Sequence, residues 1–366
     1  MATLDLIAEL YQIIFEYCTE LTTKLALMQA CKHLYHNLYM DGLLCITVIS
    51  KLNITSDILR QPKYQKIQYL GVGSCRQITD LSFLSNLTHL SCGLYGYPYG
   101  VTQETIQNLN LTYLDASNNS FITNVSHLTL LEELHMGRKC GIDPLTIYHL
   151  PINRLNISAN HKTIDFSNLT MLKILIAHEM CGFSQYEIPQ VTQLTELDIS
   201  YNPNVHDVSI LTNLCKLTIN TNDYHRHKIC GIIPLTIQNL KLVELDIGNN
   251  QHITDISMMT TLRKLYLGAN HSIYQTSLVN LSLTELEMEW TDKITDVSFM
   301  TTLRKLHMKD FTIYRSSFEF DPHIRESLIF KLAPQVEVFF NYKRIHIDRA
   351  NKKLYDVQTN YTITEV

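Results

Sequence analysis

Residues 242–270 read LVELDIGNNQHITDISMMTTLRKLYLGAN. One phrase occurs in it twice, as Leu242-x-x-Leu245-x-Ile247-x-x-Asn250 and, twenty residues on, as Leu262-x-x-Leu265-x-Leu267-x-x-Asn270. Alternation within each phrase is that of a short strand, with the aliphatic residues turned inward and the intervening ones turned to solvent. Twenty residues are too few for a core of their own, so each copy buries its apolar side only by stacking on the next.

Working outward, the first residue of the phrase falls at Ile67, Leu87, Leu111, Leu131, Ile152, Leu172, Leu194, Leu214, Leu242, Leu262, Leu283 and Leu303. The steps are 20, 24, 20, 21, 20, 22, 20, 28, 20, 21 and 20, so a fixed coil alternates with a variable one. Weaker copies begin at Leu43 and Ala333. The array absorbs much of an unusual composition, 52 Leu in 366 residues. Eight past the first residue stand Asn119, Asn160, Asn202, Asn222, Asn250 and Asn270, with Cys75 once in the same place. An amide donates and accepts, which suits a sharp turn full of unpaired backbone groups. At Tyr95, Lys139, Met180, Thr291 and Phe311 the amide is missing, and less regular turns are expected there.

This pattern resembles the leucine-rich repeat family over residues 43–341. The resemblance implies an α/β solenoid, a horseshoe or arc with a parallel concave sheet and short helices and 3-10 turns on the convex side. The 20-residue coils carry a second mark thirteen past the first residue: Asp80, Asn124, Asp165, Asp207, Asp255 and Asp296, each followed two residues later by Ser. These read as caps of short turns. Consecutive members lie two coils apart, roughly 10 Å at ordinary strand spacing, too far to share a metal ion. Variable coils carry a Cys-Gly or Tyr-Gly step before an apolar segment, as in residues 140–150 and 230–240, where Gly makes a turn and an α-helix follows.

The concave face defines the candidate site. Two past the first residue the column reads Tyr69, His89, Tyr113, Glu133, Arg154, Ile174, Glu196, Lys216, Glu244, Lys264, Glu285 and Lys305. Its second half alternates acid and base, which sets that surface near neutrality and disfavours a nucleic-acid partner. Partner contacts are expected at His135, His178, Tyr266, Trp290 and His307, since aromatic side chains dominate interface hot spots. His225, His227 and Cys230 lie in the longest insertion, read as a variable surface loop. No phosphate loop, nucleophile elbow or zinc-protease motif is present, and no enzyme, cofactor or metal site is expected.

Residues 1–42 stand outside the repeat. Their apolar spacing gives two or three amphipathic helices that cap the first coil. The stretch LIAELYQIIFEYC (6–18), then LALMQACKHLYHNL (25–38), resembles the F-box, with Leu6, Glu9, Leu10, Ile14, Phe15, Tyr17, Ala30, Cys31 and Lys32 in register. It departs from that motif at Ile7 and Cys18, where the family has Pro and Leu. The resemblance implies that Leu6, Leu10, Ile14, Phe15, Leu27 and Cys31 bind the Skp-type adaptor of a cullin–RING ubiquitin ligase while the repeats present a substrate. The alternative is a ligase-independent repeat scaffold. Residues 342–366 alternate around Ala350-Asn351 as a capping hairpin. The N-terminus lacks a secretory leader's basic region, no apolar run spans a bilayer, and the nine cysteines are odd in number. A monomer in the cytoplasm with reduced, buried thiols is the expectation. The Asn-, Tyr- and Ile-rich wording resembles proteins of large DNA viruses and amoebae, which would place it in a host cytoplasm.

Overall fold

The computed structural model describes residues 42–43, 55–72, 75, 77–93, 100–221, 231–268, 270, 272–289, 293–309, 331–340, 343–348 and 353–357. The F-box-like positions Leu6, Leu10, Ile14, Phe15, Leu27 and Cys31, together with Asn222, His225, His227, Cys230 and Trp290, lie outside the described residues. The chain divides into two compact units, Met1–Leu172 and Lys173–Val366.

In the first unit, β1 (Gly42–Leu43), β2 (Tyr69–Gly71), β3 (His89–Ser91), β4 (Tyr113–Asp115), β5 (Glu133–His135) and β6 (Arg154–Asn156) follow one another in parallel. Each coil contributes one strand, and Leu70, Leu90, Leu114, Leu134 and Leu155 stand in register with no solvent exposure. In the second unit, β7 (Ile174–Ile176), β8 (Glu196–Asp198), β9 (Lys216–Thr218), β10 (Glu244–Asp246), β11 (Lys264–Tyr266), β12 (Glu285–Glu289), β13 (Lys305–Lys309) and β14 (Glu337–Phe340) run parallel in the same way. Then β15 (Lys343–Asp348) pairs antiparallel with β14, and β16 (Lys353–Asp356) antiparallel with β15. This is a parallel-strand repeat solenoid, as the Leu-x-x-Leu-x-Leu phrase requires.

The end copies sit differently from their sequence alignment. Leu43 pairs with Leu70, so it is the second aliphatic residue of its coil and not the first. Val338, not Val336, pairs with Leu306. In degenerate copies several frames place aliphatic residues inward, and pairing with the neighbour chooses among them.

Turns after the strands are built from amides. Asn119, Asn160, Asn202, Asn250 and Asn270 are all buried. Each side-chain oxygen accepts from the backbone N–H two residues on, at 2.9, 3.0, 3.0, 3.0 and 2.7 Å in that order. Each Nδ2 donates to carbonyls of the preceding coil, for example Asn119 to Val101 at 3.0 Å and Asn202 to Phe183 at 3.0 Å. The residue before the Asn is left-handed at Asn118, Ala159, Tyr201 and Asn249, with φ 55° to 60°.

The variable coils depart from two expectations. Lys139 and Met180 do not disorder their turns, because Arg138 and Glu179 take the same left-handed conformation, φ 48° and 60°. Lys139 and Met180 point outward, and the next residue, Cys140 or Cys181, is buried in place of the amide. The Cys181 thiol donates to the Ala177 carbonyl at 3.3 Å, and Asn202 Nδ2 lies 3.5 Å from its sulfur. Gly141 is needed for close approach more than for the turn, since a Cβ there would meet the Ser120 carbonyl oxygen at 2.5 Å. Helices also follow coil length. α1 (Ser56–Leu59) precedes the array's first clear copy. Among the described residues of the variable coils, an α-helical turn stands in those of 24 and 28 residues alone, α2 (Gln103–Ile106) and α3 (Pro234–Ile237). Those of 21 and 22 residues carry 3-10 turns, Pro144–Thr146, Ile188–Gln190 and Gln275–Leu278. A 3-10 turn rises about 2.0 Å per residue against about 1.5 Å for an α-helix, so it spans the coil with fewer residues.

On the outer edge, glutamines of three variable coils reach the coil that follows. Gln103 Oε1 accepts from Thr123 and Asn124 at 3.0 and 2.8 Å, and its Nε2 donates back to the Asn124 carbonyl at 2.7 Å. Gln185 holds His206 and Asp207 at 3.1 and 2.9 Å, and Gln275 holds Thr295 and Asp296 at 3.1 and 2.9 Å. In each case a variable coil grips the 20-residue coil that follows. The residue gripped is the capping Asx, whose Oδ1 accepts from Ser two residues on in all six copies, at 2.8–3.1 Å. These bonds hold the carboxyls of Asp80, Asp165, Asp255 and Asp296 below the usual carboxylate range.

Candidate functional site: the outward strand faces

Strand register puts the second- and fourth-column residues of every coil on one solvent-facing side. In the first unit this side is aromatic. Tyr69 and His89 have ring centroids 4.4 Å apart, His89 and Tyr113 stack at 5.7 Å and 16°, and Tyr113 meets His135 at 5.3 Å. Spacing of neighbouring parallel strands, about 4.8 Å, is what brings the rings together. The row ends in a charge group: His135 Nε2 is 2.8 Å from Glu133 Oε1, and Arg154 Nε is 3.1 Å from the same oxygen. Burial, then Asp115 and Glu133, pushes the Tyr113 hydroxyl up to about 12. His135 is therefore the end of a four-ring row. Tyr69, His89 and Tyr113 belong with it, and the signal was the unbroken Tyr, His, Tyr of the second column.

In the second unit the side is charged. Lys216 Nζ lies 2.6 Å from Glu244 Oε1, and Lys264 Nζ lies 3.5 Å from Glu244 Oε2, so the expected acid–base ladder forms there. The adjoining column, four past the first residue of each coil, adds carboxylates to this ladder. It reads Asp198, Thr218, Asp246, Tyr266, Glu287 and His307, with no Lys or Arg to offset its carboxylates. Its hydrogen bond to Glu244 raises the Lys216 pKa, with Glu244, Glu196 and Asp246 adding to it by charge. Burial and then Glu285, Glu244, Glu287 and Asp246 push Tyr266 up to about 12. Asp246 is itself raised, first by burial, then by Asp198 and Glu287.

Tyr266 stands on β11, flanked in register by Asp246 and Glu287. His307 stands on β13, stacked on Phe339 at 4.5 Å and 8°, with Nε2 3.3 Å from Glu285 Oε1. His178 follows β7 rather than lying in it, with Nε2 2.5 Å from Asp198 Oδ2. Four fourth-column residues have a structural task as well. Asp115, Asn156, Asp198 and Asp246 accept from the N–H two residues on at 2.9–3.0 Å, closing the strand's end. The Asx-x-Ser/Gly spelling was legible there, as it was on the outer edge.

Thiols complete the inventory. Cys75, Cys92, Cys140 and Cys181 are buried, and burial pushes Cys140 and Cys181 up to about 11. Cys215 departs from the expectation of buried thiols and is exposed.

No protein-family model matches the chain, and no curated protein matches it. Among solved structures it is similar to an internalin (inlF) from Listeria monocytogenes, 18% identical, covering 79% of this chain and 82% of that one, TM-score 0.40. It is also similar to the functional domain of InlJ from Listeria monocytogenes, described as including a cysteine ladder, 20% identical, covering 88% of this chain and 78% of that one, TM-score 0.43. Among the described residues no helix is long and apolar enough to cross a membrane.

Proposed function

We propose that this chain is a non-catalytic protein-interaction module whose partner docks on the outward strand faces. Residues 1–42 then act as an F-box that tethers it to a Skp-type adaptor of a cytoplasmic cullin–RING ubiquitin ligase, and the docked partner is the substrate. One observation carries the module reading: the strand faces hold ordered rows of aromatic and charged side chains whose positions are fixed by register rather than by loops. Rigid aromatic anchors with low rotamer freedom are what interface hot spots use. Cys140 and Cys181, raised by burial, supply little thiolate. The F-box reading rests on the register of Leu6, Leu10, Ile14, Phe15 and Cys31. Function in that arrangement is proximity: tethering raises the substrate's effective concentration at the ligase.

Two measurements test this. Purified adaptor is captured on immobilised full-length chain and on an Ile14→Ala/Phe15→Ala variant. Loss of adaptor in the variant supports the F-box, and equal background in both replaces it with the ligase-independent scaffold. Cross-linking capture from host lysate, with Tyr69→Ala/Tyr113→Ala and Tyr266→Ala/His307→Ala variants of unchanged unfolding midpoint, tests the faces. A capture profile identical to that of the parent chain overturns the docking site.

A further inference from the structure

Three rings stand in register on consecutive strands of the first unit, Tyr69 on β2, His89 on β3 and Tyr113 on β4. Their centroids are 4.4 Å apart at the first step and 5.7 Å at the second. Tyr69 is exposed, and His89 and Tyr113 are half-buried. Thr88 Oγ1 lies 2.9 Å from His89 Nδ1 and fixes the middle ring. In the fourth column the coils of Tyr69 and His89 carry Gly71 and Ser91, the smallest residues of that column, so the rings rise beside a low shelf. The row contains no Asp, Glu, Lys or Arg. The charged groups next to it are matched within the fold. Asp115 accepts from Ser91 Oγ at 3.1 Å and from the Ser117 N–H at 3.0 Å. Glu133 Oε1 is shared by His135 Nε2 at 2.8 Å and Arg154 Nε at 3.1 Å. The two tyrosines are two strands apart, about 9.6 Å at ordinary strand spacing. A polyproline II helix presents one side every three residues, about every 9.3 Å.

We infer that the outward face of β2–β4 docks a proline-rich segment of a protein partner, laid across the strands as a polyproline II helix, with prolines three residues apart over Tyr69 and Tyr113. This deepens the interaction-module reading and rests on it. Charge complementarity narrows the occupant, because a row without ions, bordered by ions already matched, suits an uncharged segment. Spacing then selects the conformation. Polyproline II makes no internal hydrogen bonds, so its carbonyls are open to phenol hydroxyls, which can donate. It is extended before it binds, and little ordering entropy is lost on docking. The seat is short. Two strands beyond Tyr113 its column holds Arg154, so two prolines are seated rather than a long tract.

The test uses the full chain and two labelled nine-residue peptides of one composition, three Pro, three Ala and three Ser, followed by fluorescence anisotropy. One has proline at every third position. The other has it at positions one, three and five, where no two prolines are three apart. The first binds, and the second binds about tenfold more weakly. Added salt leaves the binding unchanged, since no ion pair forms. Tyr69→Ala and Tyr113→Ala, at unchanged unfolding midpoint, each weaken it about threefold to tenfold. The comparison of the two peptides needs no variant and stands even if one of these fails to fold. Equal binding of the two peptides, indifference to both substitutions, or a steep fall with salt overturns the inference. So does displacement of the peptide by a soluble glucan hexasaccharide at comparable concentration, which makes the row a carbohydrate platform. A lysate protein captured through Tyr69 and Tyr113, with no binding of the triplet-spaced peptide, sinks this inference and leaves the interaction module standing. A capture profile indifferent to those tyrosines and to the Tyr266→Ala/His307→Ala variant removes both.

Discussion

The turn after each strand and the strand's outward face are a few residues apart, yet they use polar groups in opposite ways. In the turn, the buried asparagines Asn119, Asn160, Asn202, Asn250 and Asn270 are consumed internally. Asn202 donates to Phe183 and Ala177 carbonyls and accepts from Asn204, and it has no exposure. On the face, polar groups exceed what the fold needs, and the excess is open to solvent. Polarity that is buried and matched specifies the coil, while polarity on the outward face keeps contact with solvent. The same residue type can serve either end: Asp246 ties the strand's end at 3.0 Å to Gly248 and also borders Tyr266.

The sharpest way to break this contrast is in the turn. Asn202→Ala removes one acceptor and two donations at a buried site, and a loss of about 3 kcal/mol is expected, read as a lower urea midpoint. A loss below about 1 kcal/mol would mean that the turn tolerates orphaned carbonyls and that the asparagines are decoration. Gly141→Ala comes next, at about 2 kcal/mol, because its Cβ would press on backbone carbonyl oxygens of the preceding coil. An unchanged midpoint there would show that the coils slide apart easily.

The outer edge sits between the two extremes, since its carboxylates are bonded but exposed. Asp255→Ala is expected to cost about 0.5 kcal/mol, the low end for a capping group that solvent screens. Because Asp80, Asp165, Asp255 and Asp296 titrate below their ordinary value in the folded chain, their contribution is complete above the unfolded carboxylate range. It is lost as pH falls through the lowered folded values. Midpoints measured from neutral to acid pH therefore drop, and the drop shrinks in Asp255→Asn. A stability that rises on acidification reverses the sign and removes the capping account. On the face itself the expected effect is smallest: Tyr266→Ala with His307→Ala shifts the midpoint by under about 0.5 kcal/mol while partner capture falls. A large stability loss would move these residues to the structural side of the contrast.

How much of this was legible in sequence depended on whether a position repeats. The amide column and the Asx-x-Ser caps recur at fixed spacing with one chemistry, so both position and task were readable. The turns at Arg138 and Glu179 were not, because there a thiol one residue later replaces the amide, and spacing alone cannot show a shift that the backbone absorbs. Register at Leu43 and Val338 was lost for the same reason: a degenerate copy fits several frames equally well. The aromatic row was visible as Tyr69, His89 and Tyr113 in one column, but reading residues singly selected only its end, His135. On the second face the alternating column was legible as a ladder, and the carboxylates of the column beside it add to that surface.

The glutamine grips carry a consequence for how such a chain can grow or shrink. Gln103, Gln185 and Gln275 each sit in a variable coil and hold the 20-residue coil after it. At these three places the brick that keeps its clasp is a doublet. Deleting one coil leaves a glutamine facing the wrong neighbour, or a capping Asx without its clasp, whereas excising a doublet rejoins a clasped coil to a clasping one. Shortened or lengthened versions should be cut in steps of 41 to 48 residues, and natural length variants of this architecture should differ by even numbers of coils.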